Sequence, residues 1–358
     1  MSTASANSAI SDDRLDRLGQ WCLAALTPAK RRPEGVPTQR LAEAPAPIDP
    51  RAAGRAAAAR AAALGATFLL PGDALWPTAV DSVGGPPGAL FVWGALPAKL
   101  GVGIVGSRHA TASGLDFARS LASDLAADGW PIVSGGAIGV DGAAHEGALS
   151  KGQTVAVLGS GLDDLYPPQH GPLFRRIAEG GGAVVSEFPF GTPPLQGLFP
   201  RRNRLIAALS QVVVVVEAAR RSGSLGTARH AIKLGRPLLA VPGTPGLATS
   251  EGTNGLLKAE EALVCTGADD VRRALGVEVA AKPARARAKA SPTGDAALDQ
   301  VHTLLGLTPR PLDEIAAAAG PSPAQAASSI TRLELLGLAV RAPGGAVYRP
   351  RAIHRENL

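Results

Sequence analysis

Cysteine, methionine and aromatic residues are scarce in this chain. Only two cysteines, Cys22 and Cys265, occur among 358 residues, far apart and in apolar surroundings. That excludes a disulfide framework and a thiolate metal centre. His109, His145, His170 and His230 show no metal-ligand spacing, so neither a metal nor a cofactor is expected. No apolar run is long enough to cross a bilayer, and the N-terminus lacks a basic, apolar, small-residue leader. The expected location is the cytoplasm, with no membrane partner. Catalytic constellations are missing too. Ser160 sits in Gly159-Ser160-Gly161, without the G-x-S-x-G elbow. Asp141 and His145 stand one turn apart at a helix start, where a cap and a core histidine explain them better than a general-base pair.

What is present is a large apolar fraction, 46%, and a formal net charge of +6. The first permits a sizeable core. The second is compatible with an acidic partner such as nucleic acid. Residues 1–64 form a helical N-terminal region, partly disordered, with helices over Arg14–Leu26 and the Ala/Arg-rich Arg51–Leu64. Residues 65–278 form the next domain, and from about Leu96 apolar strands alternate with helices. Strands are expected at 102–106, 131–134, 153–158, 183–186, 211–217, 237–241 and 262–265, and helices at 113–128, 140–150, 171–179, 202–210 and 224–234. That order specifies an α/β fold, a doubly wound, extended Rossmann-like sheet covered on both faces. Residues 279–294 read as a flexible basic linker. Residues 295–358 read as helix, short helix, helix and hairpin, a small C-terminal winged helix.

In such sheets ligands lie outside the carboxyl ends of the strands, and the glycine-rich turns of this chain all follow strands. Gly103 to Arg108 reads as a strand breaking on small residues before a helix. That places a helix N-terminus and an arginine together, which suits a phosphate. A dinucleotide fingerprint is not the explanation. The G-x-G-x-x-G spacing overlaps the strand, and Ser134-Gly135-Gly136 stands where a ribose-binding acid belongs. Phe199-Pro200-Arg201-Arg202-Asn203-Arg204 opens a helix with cations that oppose its dipole, and Phe199 could stack on a base. Ser222-Gly223-Ser224-Leu225-Gly226-Thr227 offers either an ordinary cap or a phosphate nest.

These stretches resemble the DNA-processing protein A family (DprA, also called Smf). The resemblance spans about Asp73 to Cys265. It runs through Val105-Gly106-Ser107-Arg108, Val133-Ser134-Gly135-Gly136-Ala137, Gly139-Val140-Asp141-Gly142-Ala143-Ala144-His145, Tyr166-Pro167, Arg202-Asn203-Arg204-Leu205-Ile206, Ser222-Gly223-Ser224 and Gly252-Thr253-Asn254. It implies a non-enzymatic protein that binds single-stranded DNA, dimerises and delivers the strand to RecA recombinase, in transformation and recombination. It also implies a DNA site at Gly106, Ser107, Arg108, Ser134, Gly135, Gly136, Phe199, Arg201, Arg202, Asn203, Arg204, Ser222, Gly223 and Ser224, with no catalytic residue. Two departures stand out. Ile138 replaces a basic residue, and Glu260-Glu261 replaces Gly-Ala, which would put two carboxylates near the rim. The alternatives are a nucleotide phosphoribohydrolase and a nucleotide-sensing module. The hydrolases resemble one another in P-G-G-x-G-T-x-x-E, but His230 stands here where their Glu falls.

From Asp295 to Leu358 six arginines face six acidic residues, so the winged helix carries no formal surplus of charge. The basic residues Lys282, Arg285, Arg287 and Lys289 lie in the linker instead. Phosphate contacts supply most non-specific affinity, so this composition points to a protein-interaction or regulatory module. A chain ended after residue 278 should keep most of its single-strand affinity at physiological salt, read by titrating a labelled oligonucleotide. Loss of binding by a folded truncation would move the site into the winged helix.

Overall fold

The computed structural model describes residues 10–26, 49–279, 293, 295–306, 309–319, 323–342 and 345–349. The expected linker falls outside them apart from Val279 and Thr293, as do all but Ile10 of the residues 1–10 expected to be disordered and all but Gly345 of the expected Pro343-Gly344-Gly345 turn. The chain divides into two compact units, residues 1–279 and 280–358.

The first unit begins with α1 (Asp12–Leu26) and α2 (Pro50–Ala63). Asp49 caps α2 by accepting from Arg51 N and Ala52 N, and Pro50 fits the first turn because that N–H has no helical partner. Gly19 and Gly54 let the two helices touch, since a Cβ on either would collide with the other helix's backbone. Two antiparallel strands follow, β1 (Ala66–Leu69) and β2 (Leu90–Gly94). Neither is expected from the sequence, where the strand pattern begins only after Leu96. The helices and these strands share one core, Leu18, Phe68, Phe91, Phe174 and Val184 among its members.

The alternating region then runs β3 (Gly101–Val105), α3 (Ala112–Ala127), β4 (Ile132–Ser134), α4 (Val140–Leu149), β5 (Thr154–Val157), α5 (Gly171–Glu179), β6 (Ala183–Ser186), α6 (Leu198–Ala208), β7 (Ser210–Val215), α7 (Ser224–Lys233), β8 (Leu238–Ala240), α8 (Glu251–Lys258), β9 (Leu263–Val264) and α9 (Ala268–Ala274). The sheet order is β1-β2-β6-β5-β4-β3-β7-β8-β9, and all pairs from β6 to β9 are parallel. The doubly wound α/β fold is thus observed. The valine run shows why the sheet is covered twice. Val213 and Val215 enter the core with α6 and α7, while Val212, Val214 and Val216 enter the core with α3, α4 and α9. Winding reverses between β3 and β7, which opens the crevice of a doubly wound sheet at that point.

Helix α6 starts four residues earlier than the sequence suggests. Pro200 sits inside its first turn, where a missing N–H costs nothing, instead of marking its start. Glu260 and Glu261 precede β9, at the amino end of the strand. Glu261 lines a cleft that also contains Arg220.

The second unit contains α10 (Ala296–Leu304), α11 (Leu312–Ala319), α12 (Pro323–Leu335) and the antiparallel pair β10 (Val340–Arg341) and β11 (Val347–Tyr348), as expected of a winged helix. Leu298, Val301, Ile315, Ile330, Leu333 and Val347 form its core. Leu336 is exposed. No described helix is long and apolar enough to cross a membrane.

Glu260 adopts φ 56°, the only described non-glycine residue with positive φ. The left-handed conformation costs a residue with a Cβ about 1–2 kcal/mol, and glycine almost nothing. Glu260→Gly should therefore raise the melting temperature of the larger unit by about 2 °C in calorimetry. An unchanged or lowered value would show that the Glu260 side chain offsets the strain.

Candidate nucleic-acid interface

The turns after β3, β4, β5 and β7 meet at the carboxyl edge of the sheet, beside the winding reversal. Chain-internal carboxylates dominate their chemistry. Thr111 caps α3 by accepting from Gly114 N at 3.1 Å. Glu217, just past the end of β7, accepts from Thr111 Oγ1 at 2.5 Å and from Thr111 N at 3.0 Å. A Cβ on Gly114 would collide with that carboxylate, so the helix start needs glycine there. Glu217 thus places a carboxylate at the α3 N-terminus, beside the phosphate cradle read from Gly103 to that helix start.

The turn after β4 is filled in the same way. Gly135 N and Ala137 N donate to Asp141 Oδ2 at 3.1 and 3.4 Å. Burial pushes the Asp141 carboxyl up, against the downward pull of Arg202 and these N–H groups. Gly136 and Gly139 take φ 71° and 88°. A Cβ on Gly139 would strike the backbone of Ser107 and Arg108, so glycine lets the two turns touch. Ser134 Oγ donates to Ile104 O at 2.6 Å, tying β4 to β3.

The RRNR run divides between interior and surface. Arg202, Asn203 and Arg204 are buried. The Arg202 guanidinium donates to Gly135 O at 2.5 Å and, in a shorter contact, to Val157 O. Burial lowers its pKa to about 10, Asp141 opposing the shift. Asn203 accepts from Arg202 Nε and donates to Gly223 O at 3.1 Å, which reaches the Ser222–Ser224 turn. Arg204 donates to both oxygens of Glu187, at 2.9 and 2.7 Å, and Glu187 is fully buried. Arg201 alone keeps a side chain 43% exposed, 3.4 Å from Glu187. These residues stitch the turns together, and sequence reasoning missed that role. An unbroken charge run looks like surface until the helix face it occupies is known.

Phe199 carries the Arg108 guanidinium over its ring at 5.4 Å and touches the Tyr166 ring, centroids 5.5 Å apart. Arg108, Gly135, Phe199 and Arg202 line one cleft, together with Ile138 and Tyr166. Gly106 and Ser107 hold the neighbouring turn, where Ser107 Oγ accepts from His109 N at 3.0 Å. At the α7 start Ser222 Oγ meets Ser224 Oγ at 2.8 Å, and no side chain caps Gly223. Arg220 and Arg221 are exposed immediately before it. The sequence reading passed over both, although two arginines in the same turn as Ser-Gly-Ser were a visible signal. Exposed cations at this edge thus include Arg108, Arg201, Arg220 and Arg221.

His145 Nδ1 lies 2.7 Å from Thr154 Oγ1, which itself donates to Ile132 O, so Nδ1 carries the imidazole proton. Burial lowers its pKa from 6.5 to about 3. The unfolded chain takes up this proton below pH 6.5, and the folded chain only near pH 3. Stability is full above pH 6.5 and falls as the pH drops through that window. Between pH 7 and pH 5 the wild type should lose about 2 kcal/mol relative to His145→Gln in urea titrations. Parallel losses in both proteins would refute a neutral buried imidazole.

Comparison with known proteins identifies relatives of this architecture. The sequence profile described as DNA recombination-mediator protein A matches residues 67–276, and that of the DprA winged helix domain matches residues 283–345. Protein Smf of Escherichia coli is 40% identical over 294 residues, 80% of this chain and 78% of that protein. The X-ray structure of DNA processing protein A from Streptococcus pneumoniae aligns with TM-score 0.54 at 35% identity, covering 60% of this chain and 75% of that one. A Helicobacter pylori DNA processing protein A structure, described for its single-stranded DNA binding mode, aligns with TM-score 0.53 at 35% identity. It covers 59% of this chain and 95% of that one.

Proposed function

The chain belongs to the DNA recombination-mediator protein A family, and from that premise we propose that it binds single-stranded DNA at the carboxyl edge of its sheet. The observation that carries the reading is the division of charge there. Asp141, Glu187 and Glu217 are spent on internal hydrogen bonds, while Arg108 and Arg201 stay exposed beside glycine turns. Arg220 and Arg221 extend the basic rim. A strand of phosphates supplies the anions such a rim needs. The single-strand binding described for the Helicobacter pylori relative supports the same reading.

The proposal is of a mediator without catalysis, acting in the cytoplasm on DNA in recombination and transformation and delivering the strand to RecA recombinase. Asp141, Glu187 and Glu217 are committed to holding turns, and no described cluster of His, Cys, Asp or Glu could hold a metal. A phosphoribohydrolase reading is disfavoured because His230 stands in place of the acid. The proposal includes a homodimer. Leu263 and Val264 on the edge strand β9 are 59% and 52% exposed, an apolar edge that a second copy would cover.

Arg108→Ala and Arg201→Ala should each weaken binding of a labelled single strand and lower the salt slope by about 0.7. Arg204→Ala should instead lower the melting temperature, because it strands the buried Glu187 carboxylate. Sedimentation of the same samples reads the dimer, and RecA filament growth on the bound strand reads delivery. Unchanged affinity and slope in the Arg108/Arg201 double variant would refute the proposed interface.

A further inference from the structure

The geometry points to the cleft between α7 and α8 as a docking groove for a partner protein whose contact segment is an acidic amphipathic helix. The inference does not depend on the strand-binding reading above. The groove follows from the period of the two helices. Ser224, Thr227, Ala228 and Ala231 are buried on one side of α7, which leaves Leu225, Arg229, Ile232 and Lys233 toward the cleft at helical spacing. In α8 Thr253 is buried, while Glu251, Asn254, Gly255 and Lys258 share the stripe toward the cleft. The two stripes line a space of about 840 Å³, with Arg220 and Glu261 also on its wall.

Two missing side chains shape this space. Gly252 N donates to Ala218 O at 2.7 Å, and a Cβ on Gly252 would stand 2.7 Å from that same oxygen, so glycine lets the start of α8 approach the chain just past β7. A Cβ on Gly255 would meet nothing within 4 Å, so that position opens straight onto the cleft. The walls combine aliphatic surface with unspent charge. Ile232 is 43% exposed, beside Lys233 and one turn from Arg229. Arg220, Arg229, Lys233 and Lys258 are exposed, and none has an ion-pair partner among the described residues. The carboxylates of the cleft are Glu251, the first residue of α8, and Glu261, just past its end. Asn254 has spent its side-chain amide on Gly243 N and O, at 3.0 and 3.1 Å.

A nucleic-acid strand fits this inventory poorly. No aromatic side chain is among the described residues of the cleft for a base to stack on, and the two carboxylates oppose a backbone charged at every nucleotide. A helix with aliphatic residues on one face and carboxylates flanking them fits it well. Its apolar face covers Leu225, Ile232 and Leu256, and its acids are spaced to meet the four cations and to avoid Glu251 and Glu261.

The test titrates the full-length chain with two labelled peptides of about fourteen residues, roughly four helical turns. One carries leucine along a single helix face and glutamate elsewhere, and the other has serine for each leucine. The leucine peptide should bind saturably, and the serine peptide about 10-fold more weakly. Gly255→Trp, which fills the cleft from a position with free space, should weaken the leucine peptide at least about 10-fold and leave labelled oligothymidylate unaffected, whereas Gly255→Ala should bind both as the wild type does. The Lys233→Glu/Lys258→Glu variant should lose the leucine peptide and gain its counterpart with lysine for glutamate. The peptide pair needs no variant, so that comparison stands even if a substitution disturbs folding. Equal binding of both peptides, or no binding of the leucine peptide, would overturn the groove without touching the strand-binding reading, which oligothymidylate tests in the same samples. Undiminished peptide binding by folded Gly255→Trp would overturn it too. Loss of oligothymidylate affinity in Gly255→Trp would assign the cleft to the strand, and a dimer that this variant splits in sedimentation would assign it to a second copy; either result overturns the peptide reading.

Discussion

The buried guanidinium of Arg202 is the constraint on which the carboxyl edge of the sheet depends. A charge removed from water costs several kcal/mol unless its hydrogen bonds are restored. Here the compensation comes from Gly135 O and Val157 O, just past β4 and at the end of β5, with Asp141 supplying the opposing charge. A side chain on Gly135 would run into the guanidinium, so the turn and the arginine require each other. Asn203 carries the same network on to Gly223, at the start of α7. One turn of α6 thereby sets the positions of turns that follow three different strands.

The second organising feature is electrostatic. A doubly wound sheet ordinarily offers helix N-termini and glycine turns to a bound anion. In this chain Glu217 fills the first such place and Asp141 the second. Asp141 accepts from Gly135 N and Ala137 N, and Glu217 from Thr111 N and Oγ1. The exposed cations of this edge are Arg108, Arg201, Arg220 and Arg221, and Asp163 and Asp164 are exposed in the turn after β5. Fixed internal anions with exposed cations suit a flexible polyanion whose phosphates need not adopt one geometry. They do not suit a dinucleotide, which needs the helix end itself.

The winged helix follows a different logic. Its core is a small apolar cluster, and the exposed length of α12 presents Ser328, Thr331, Arg332 and Leu335. Arg332 pairs with Asp295 at 3.3 Å, and Arg341 with Glu334 at 3.2 Å. Exposed pairs of this kind add little stability, but they do neutralise the cations that a duplex would use.

Period and order in the sequence determined the alternating α/β architecture, the valine strand buried on both faces and the helix–hairpin pattern of the second unit. These rest on local hydrophobic spacing, which a chain carries wherever it folds. Motif text also determined which turns would gather at one edge, because glycine-rich turns after parallel strands must lie there. Tertiary structure decided the rest. β1 and β2 were unreadable because short antiparallel strands without intervening helices give too little pattern. The four residues of RRNR look alike in sequence, and only the packed face of α6 separates Arg201 from its three buried neighbours. The Glu217–Thr111 and Asp141–Gly135 contacts join residues that only the folded sheet brings together, so no local signal marks those helix starts and turns as filled. Exposure likewise belongs to the fold: the chain has few aromatics, and whether Phe199 or Tyr166 offers its ring to solvent depends on where Arg108 and Gly159 come to rest.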